Sequence, residues 1–241
     1  ASDACAVTAD YGIEISGSTL ESAIANGNAI FARGDLKIEN SNVTTSNDNK
    51  NGDAYPAIWC DGDITINGGQ LKSTCIGSDA LGAAGTLSIT DCNVENKGYY
   101  TALYSGGKMT LTGGSITAEA ENSAIMSRSA MTITNATVKA TAQKYNALRA
   151  SNVMKIDGGR VKATTVLHDD AEPYAIHMEP MGDDDGRMEI GGGVELYVKG
   201  YKGIFVGDEA TIADAHIVID SEDWSIDMPV KFAEGYDIAL A

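Results

Sequence analysis

Apolar residues recur along this chain with a fixed internal spacing. An Ile or Leu that follows an alanine is succeeded by an apolar residue six positions later, by another after two more, and by a fourth after five more. One such set consists of Ile58, Ile64, Ile66 and Leu71, and the sets repeat every 22 to 28 residues. A unit this short cannot bury its own apolar face, so the repeat predicts a stacked array of coils.

Within each repeat the pattern is that of short β-strands joined by turns. Apolar residues two positions apart, such as Met131 and Ile133, show strand alternation. Gly, Asn and Asp follow at one fixed phase, as in Asn67-Gly68-Gly69, and they tolerate the backbone of a sharp corner. We therefore predict an all-β fold, a single-stranded parallel β-helix (β-solenoid) of about nine coils. We expect right-handed winding, because crossovers between parallel strands almost always have that hand.

The repeat also suggests how the chain is divided. Residues 1–220 are predicted to form the β-helix, and residues 221–241, where the periodicity fails after Ile217, a C-terminal cap of the same domain. Three coils carry extra residues, at 46–55, 165–174 and 179–186, which we expect to form loops.

Composition excludes some partners. The formal net charge of −17 repels phosphate backbones, so we expect no nucleic acid partner. No run of 18 apolar residues occurs, so we do not expect the chain to be embedded in a membrane. The sequence opens Ala1-Ser2-Asp3, which is compatible with prior removal of a signal peptide. Cys60 is predicted to point inward and to be a small core residue. A disulfide between Cys75 and Cys92 is compatible with the sequence but is not required by it.

The residue after each anchoring Ile or Leu is predicted to point outward and to stack from coil to coil. This row consists of Thr8, Phe31, Trp59, Gly82, Tyr104, Met126, Arg149, His177 and Phe205. Aligned rings can stack on the apolar faces of sugars. We therefore predict that Phe31, Trp59 and Tyr104 bind a polysaccharide or a host or cell-surface glycan. The alternative is that aromatic residues simply suit strand surfaces.

Acidic residues cluster on both sides of the segment 175–178. Those considered as calcium ligands are Asp169, Asp170, Glu179, Asp183, Asp184 and Asp185. Calcium takes six to eight oxygen ligands, which clustered carboxylates can supply. The spacing does not match an EF-hand loop. The alternative to a calcium site is that these acidic residues are ordinary solvent-exposed charges. We expect no required cofactor, with Ca²⁺ as the one candidate.

An enzymatic alternative must also be weighed, because many β-helices cleave acidic polysaccharides with outward carboxylates and basic residues. If the chain is a polysaccharide lyase or glycoside hydrolase, the residues to carry the chemistry are Arg149, His177 and Glu179. They form a loose set without a dense Asp cluster. A non-catalytic binding or adhesive module is therefore the favoured function, and a purely structural surface rod is a further alternative.

The pattern as a whole resembles secreted right-handed β-helix surface proteins of Gram-positive bacteria, of the carbohydrate-binding-domain-containing type. The resemblance rests on residues 9–17 (ADYGIEISG) and on units such as residues 107–116 (GKMTLTGGSI), and it extends from residue 6 to about 220. It implies an extracellular or cell-surface, non-catalytic role that involves polysaccharide and calcium. The matching positions are structural, so no binding residue is carried over from the family.

Overall fold

The structure, a computed structural model, describes residues 5–49, 55–166, 173–180, 186–227 and 230–241. Within these ranges the regular elements are β-strands, and no helix occurs. The strands form three parallel sheets of ten strands each in the described part of the chain, and neighbours in each sheet are three strands apart in sequence. The predicted parallel β-solenoid is confirmed, while its right-handed sense stays a prediction.

Sheet A contains, in spatial order, β1 (Val7–Ala9), β4 (Ile30–Ala32), β7 (Ile58–Cys60), β10 (Leu81–Ala83), β13 (Thr101–Ser105), β16 (Ser123–Ser127), β19 (Leu148–Ala150), β22 (Tyr174–Met178), β25 (Lys202–Val206) and β28 (Ile226–Asp227). Sheet B contains β2 (Ile13–Ser16), β5 (Leu36–Glu39), β8 (Ile64–Asn67), β11 (Leu87–Thr90), β14 (Met109–Thr112), β17 (Met131–Thr134), β20 (Val153–Asp157), β23 (Arg187–Gly191), β26 (Glu209–Ile212) and β29 (Val230–Phe232). Sheet C contains β3 (Thr19–Ile24), β6 (Asn42–Asn47), β9 (Gln70–Cys75), β12 (Asn93–Gly98), β15 (Ser115–Ala120), β18 (Thr137–Ala142), β21 (Arg160–Thr165), β24 (Val194–Gly200), β27 (Ala215–Ser221) and β30 (Tyr236–Leu240). One coil is a set of three consecutive strands, so coil 1 is β1–β3 and coil 10 is β28–β30.

The core is a set of columns in which equivalent residues of successive coils lie over one another. In sheet A, Leu103 pairs in register with Leu81 on one side and with Ile125 on the other, and all three side chains are fully buried. These are the positions that the sequence repeat marks as apolar. Because parallel strands lie about 4.8 Å apart, each buried side chain packs on its counterparts above and below as well as across the coil.

The corner between sheets B and C alternates between two kinds of residue. Asn40, Asp91 and Asn135 adopt positive φ values of 45°, 48° and 49°, and glycines hold the equivalent corner of the coils between them. A Cβ atom on Gly68 would lie 2.5 Å from Oδ1 of Asn40, so the glycine leaves room for the side chain of the neighbouring coil. This confirms the predicted turn phase and explains why Gly alternates with Asn or Asp there.

The segment 221–241, for which we predict a cap, adds the last strand to each sheet. β28, β29 and β30 pair in parallel with β25, β26 and β27. Ile226, Val230 and Ile238 are partly buried against the core. The tenth coil therefore keeps the register of the stack although its spacing departs from the template, and its role as a cap stays a prediction.

The cysteines and inserts refine two further expectations. Cys60 is fully buried, as predicted, and Cys75 and Cys92 are also buried but are free thiols, not a disulfide. The insert predicted to start at residue 46 starts later, since β6 extends through Asn47. No helix in the described ranges is long and apolar enough to cross a bilayer.

Candidate functional site

The outward row on sheet A exists as predicted. Register pairs join Thr8 to Phe31, Phe31 to Trp59, Trp59 to Gly82 and Gly82 to Tyr104. The same column continues through Met126, Arg149, His177 and Phe205. Its aromatic side chains are half-buried, so each ring keeps part of its surface accessible.

A cleft of about 720 Å³ lies over the first coils of this row. Its lining residues are Cys5, Thr8, Asn28, Phe31, Arg33, Tyr55, Pro56, Trp59 and Asp79. Two of the three predicted platform residues, Phe31 and Trp59, are therefore brought together in one concave surface. Tyr104 is not part of the cleft wall and lies beyond Trp59 along the column.

The Trp59 ring is held in place from three sides. Its indole N–H donates a hydrogen bond of 2.8 Å to Oδ1 of Asp61. Its ring stacks with Tyr104, with centroids 6.1 Å apart and planes at 21°. Gly82 lies on β10, between the strands that carry Trp59 and Tyr104. It has no side chain, and a Cβ atom there would lie 2.6 Å from Cζ3 of Trp59. The glycine thus lets the indole lie close against the sheet.

Polar groups that the sequence reasoning missed complete the cleft. The Asn28 amide donates a 2.7 Å hydrogen bond to the Pro56 carbonyl. Asp79 accepts hydrogen bonds from the backbone N–H and the hydroxyl of Thr101, both at Oδ1. Burial raises the pKa of the Asp79 carboxyl, and the two hydrogen bonds from Thr101 oppose that rise. These residues could have been found from their common position in the repeat. Asn28, Pro56 and Asp79 each directly precede the alanine of the anchor.

The insert before Pro56 borders the cleft where the structure describes it. Asn47 is buried, and its amide donates 2.7 Å hydrogen bonds to the carbonyls of Gly27 and Tyr55. Tyr55 and Pro56 then form part of the cleft wall. The remaining residues of this insert, 50–54, lie outside the described ranges.

The three residues of the enzymatic alternative are also brought together. Arg149 and His177 are register neighbours, and Oε2 of Glu179 lies 3.4 Å from Nη2 of Arg149 and 4.0 Å from Nε2 of His177. The imidazole stacks with Tyr174, with centroids 5.8 Å apart, and packs edge-on against Phe205 at 4.9 Å. Burial lowers the pKa of His177; the positive charge of Arg149 lowers it further, and Glu179 acts in the opposite direction. The arrangement is an aromatic cluster with one ion pair.

The calcium prediction rests mainly on residues outside the described ranges. Asp169, Asp170, Asp183, Asp184 and Asp185 all fall there. Glu179 is described, and its carboxylate is paired with Arg149, which is a poor setting for a cation ligand. The described residues hold no cluster of three or more His, Cys, Asp or Glu suited to a metal ion. Calcium binding stays a prediction.

Comparison with known proteins points to carbohydrate binding. A family model described as "Carbohydrate-binding domain-containing protein" matches residues 90–234, which is more than half of the chain. No curated protein and no solved structure matches. Tyr104, Arg149 and His177 lie inside the matched segment, whereas Phe31 and Trp59 precede it. This match shows that the chain belongs to the family of carbohydrate-binding domain-containing proteins.

Proposed function

We propose that this protein is a non-catalytic module that binds a polysaccharide or cell-surface glycan in the cleft over coils 1 to 4. The observation that carries the proposal is the pairing of Phe31 and Trp59 in one concave surface of about 720 Å³. Ligand sites are typically mostly apolar concavities with a few well-placed polar groups. The family match supplies the class of ligand.

The cleft provides the two kinds of contact that a sugar needs. The C–H faces of a pyranose ring can pack on the aromatic faces of Phe31 and Trp59. Its hydroxyls need polar partners at the rim of those faces, and Asn28, Arg33 and Asp79 line the same cleft. Both hydrogen bonds that Asp79 accepts in the described part of the chain go to Oδ1, which leaves Oδ2 available to accept a hydroxyl.

Preorganisation favours such binding. The indole of Trp59 is fixed by Asp61 and Tyr104 before any ligand arrives. A ring that is already ordered loses little side-chain entropy when a sugar packs on it. The strands beneath it, β4, β7 and β10, are paired in register by backbone hydrogen bonds, which gives the cleft an ordered base.

The test is binding of soluble polysaccharides by affinity electrophoresis, with Trp59→Ala as the variant and Trp224→Ala as the matched control. Trp224 is exposed and lies next to coil 10, remote in the stack from the cleft. We expect Trp59→Ala to weaken binding about tenfold or more, equivalent to about 1.4 kcal/mol, and Trp224→Ala to change it less than twofold. If Trp59→Ala binds like the parent protein, the cleft is not the site.

The same samples test the non-catalytic role. Reducing ends and unsaturated uronides are measured after long incubation with each polysaccharide that binds. We expect neither to accumulate. Product formation that disappears in Arg149→Ala or His177→Ala would establish the enzymatic alternative instead.

We further propose that the module acts outside the cell, where polysaccharide is available to it. Support comes from the resemblance to secreted surface proteins that residues 9–17 and 107–116 carry. Fractionation of the producing organism tests this location: the protein should appear in the wall or medium fraction, and recovery in the cytosol alone would contradict it.

A further inference from the structure

Three tyrosines stand exposed at the corner between sheets C and A, the corner that also carries the cleft residues Asn28, Pro56 and Asp79, but none of the three lines the cleft. Tyr99, Tyr100 and Tyr145 are 39%, 46% and 45% exposed. The inward apolar residues of the same coils, such as Leu103, Ile125 and Leu148, are fully buried by contrast. All three lie within the segment 90–234 that the carbohydrate-binding family model matches.

The backbone sets the spacing of these rings. The Tyr99 carbonyl accepts a 3.0 Å hydrogen bond from the N–H of Asn122, and the Asn122 carbonyl accepts a 3.1 Å bond from the N–H of Tyr145. Tyr99, Asn122 and Tyr145 are therefore successive rungs of one ladder. Two rungs span about 10 Å at the usual distance between strands. This is comparable to the length of one disaccharide in an extended polysaccharide.

Polar side chains lie beside the tyrosines. A depression of about 290 Å³ borders Tyr99 and is also lined by Ile76, Lys97, Glu119, Glu121 and Gln143. Tyr100 packs edge-on against Tyr99 with ring centroids 5.2 Å apart, which limits the motion of both rings. Flat apolar faces with amide, ammonium and carboxylate groups at their edges match the alternation of C–H faces and hydroxyl edges in a sugar.

We propose that this corner is a second saccharide-binding surface, which holds an extended, uncharged polysaccharide chain parallel to the stacking axis, with alternate sugars on Tyr99 and Tyr145. The inference rests on the proposed saccharide-binding function. The formal charge of −17 disfavours a polyanion. The ladder geometry favours a periodic polymer over a globular partner, because the two rings repeat along one line.

The experiment compares the parent protein with the double variant Tyr99→Ala/Tyr145→Ala. Tyr11→Ala is the control, since Tyr11 is 89% exposed and lies in the first coil. Probes are hydroxyethylcellulose, xylan and polygalacturonate in affinity gels, and a disaccharide and a hexasaccharide of the polymer that binds in calorimetry. We expect the hexasaccharide to bind at least tenfold more tightly than the disaccharide, and the double variant to lose that preference. Far-ultraviolet circular dichroism and the melting temperature check that the variant is folded.

The outcomes separate this inference from the proposed cleft. If the parent protein binds and Trp59→Ala abolishes binding while the tyrosine variant is unchanged, the corner is overturned and the cleft stands. If the tyrosine variant loses binding while Trp59→Ala does not, the corner is supported and the cleft is overturned. Binding confined to polygalacturonate overturns the uncharged ligand. A change in mass by light scattering in the tyrosine variant, with saccharide binding intact, assigns the surface to a second copy of the chain and overturns the proposal.

Discussion

Gly82→Ala should displace the Trp59 indole from the surface of sheet A. An alanine Cβ at this position would lie 2.6 Å from Cζ3 and 2.7 Å from Cε3 of Trp59, which is closer than real Cβ contacts allow. The backbone flanking Gly82 is ordinary strand, and the Tyr104 ring would be at a normal 3.6 Å. The strain therefore falls on the indole, which must rotate away from Gly82 and from Tyr104.

The size of the effect follows from what the indole loses. Its stacking with Tyr104 contributes about 0.5–1.5 kcal/mol. Its exposed hydrogen bond to Asp61 contributes about 0.5 kcal/mol, at the low end of the usual range. Replacing glycine by alanine in a strand returns about 0.5–1 kcal/mol, because the unfolded chain loses freedom. We expect a net loss of about 1 kcal/mol of unfolding free energy for Gly82→Ala.

A double-mutant cycle tests the cause. In a Trp59→Ala background the clash is absent, so Gly82→Ala should stabilise the protein by about 0.5–1 kcal/mol, giving a coupling of about 1.5 kcal/mol. Unfolding free energies are measured by urea denaturation. Indole emission, recorded with Trp224 replaced by Phe, should shift to the red in Gly82→Ala. A stabilised single variant with unchanged emission would refute the proposed contact.

Three further predictions concern the core and the two titrating groups. Leu103→Ala, in the fully buried column, should cost about 2–5 kcal/mol of unfolding free energy in urea, and a loss below about 1 kcal/mol would contradict the interior packing. The pKa of His177 is lowered in the folded protein, so its contribution to stability is lost as the pH falls below about 6.5. Melting curves of His177→Gln should lack that part of the pH dependence, and identical curves would exclude it. The pKa of Asp79 is raised by burial, so its contribution to stability decreases as the pH rises above about 4. Asp79→Asn, whose amide oxygen can still accept from Thr101, should lack this decrease, and a parallel decrease in the variant would show that another group causes it.

The sequence was sufficient to predict the parallel β-solenoid, because the anchoring Ile or Leu occupies the same position in each repeat. That position determines which residues of successive coils pair. The anchors Ile58, Leu81 and Leu103 are register partners, and each precedes the next apolar residue of its own repeat by six positions. The tenth coil was missed for a physical reason. Its residues Ile226, Val230 and Ile238 are only partly buried, so a strict apolar template is less necessary there.

The candidate site was less accessible to sequence reasoning. The outward column was predicted correctly, but which of its members share a cleft was not. Phe31 and Trp59 do, because Cys5, Tyr55 and Pro56 line the cleft around them. Asp79 contributes through a position before the anchor, which no apolar pattern marks. The exposed tyrosines lie in turns at the same corner, between sheets C and A, where the repeat constrains the backbone and not the chemistry of the side chain.

The alternating corner between sheets B and C implies that the chain is built from pairs of coils. Exactly 45 residues separate Gly68 from Gly113, and again Gly113 from Gly158. Inserting a single coil with an Asn or Asp corner would place two side chains of the Asn40 kind against one another, whereas inserting a pair of coils preserves the pattern. Duplication in steps of two should therefore be the tolerated way to lengthen this protein, by evolution or by engineering. The alternation is broken once, where the glycine corner of Gly158 is followed by the glycine corner of Gly192.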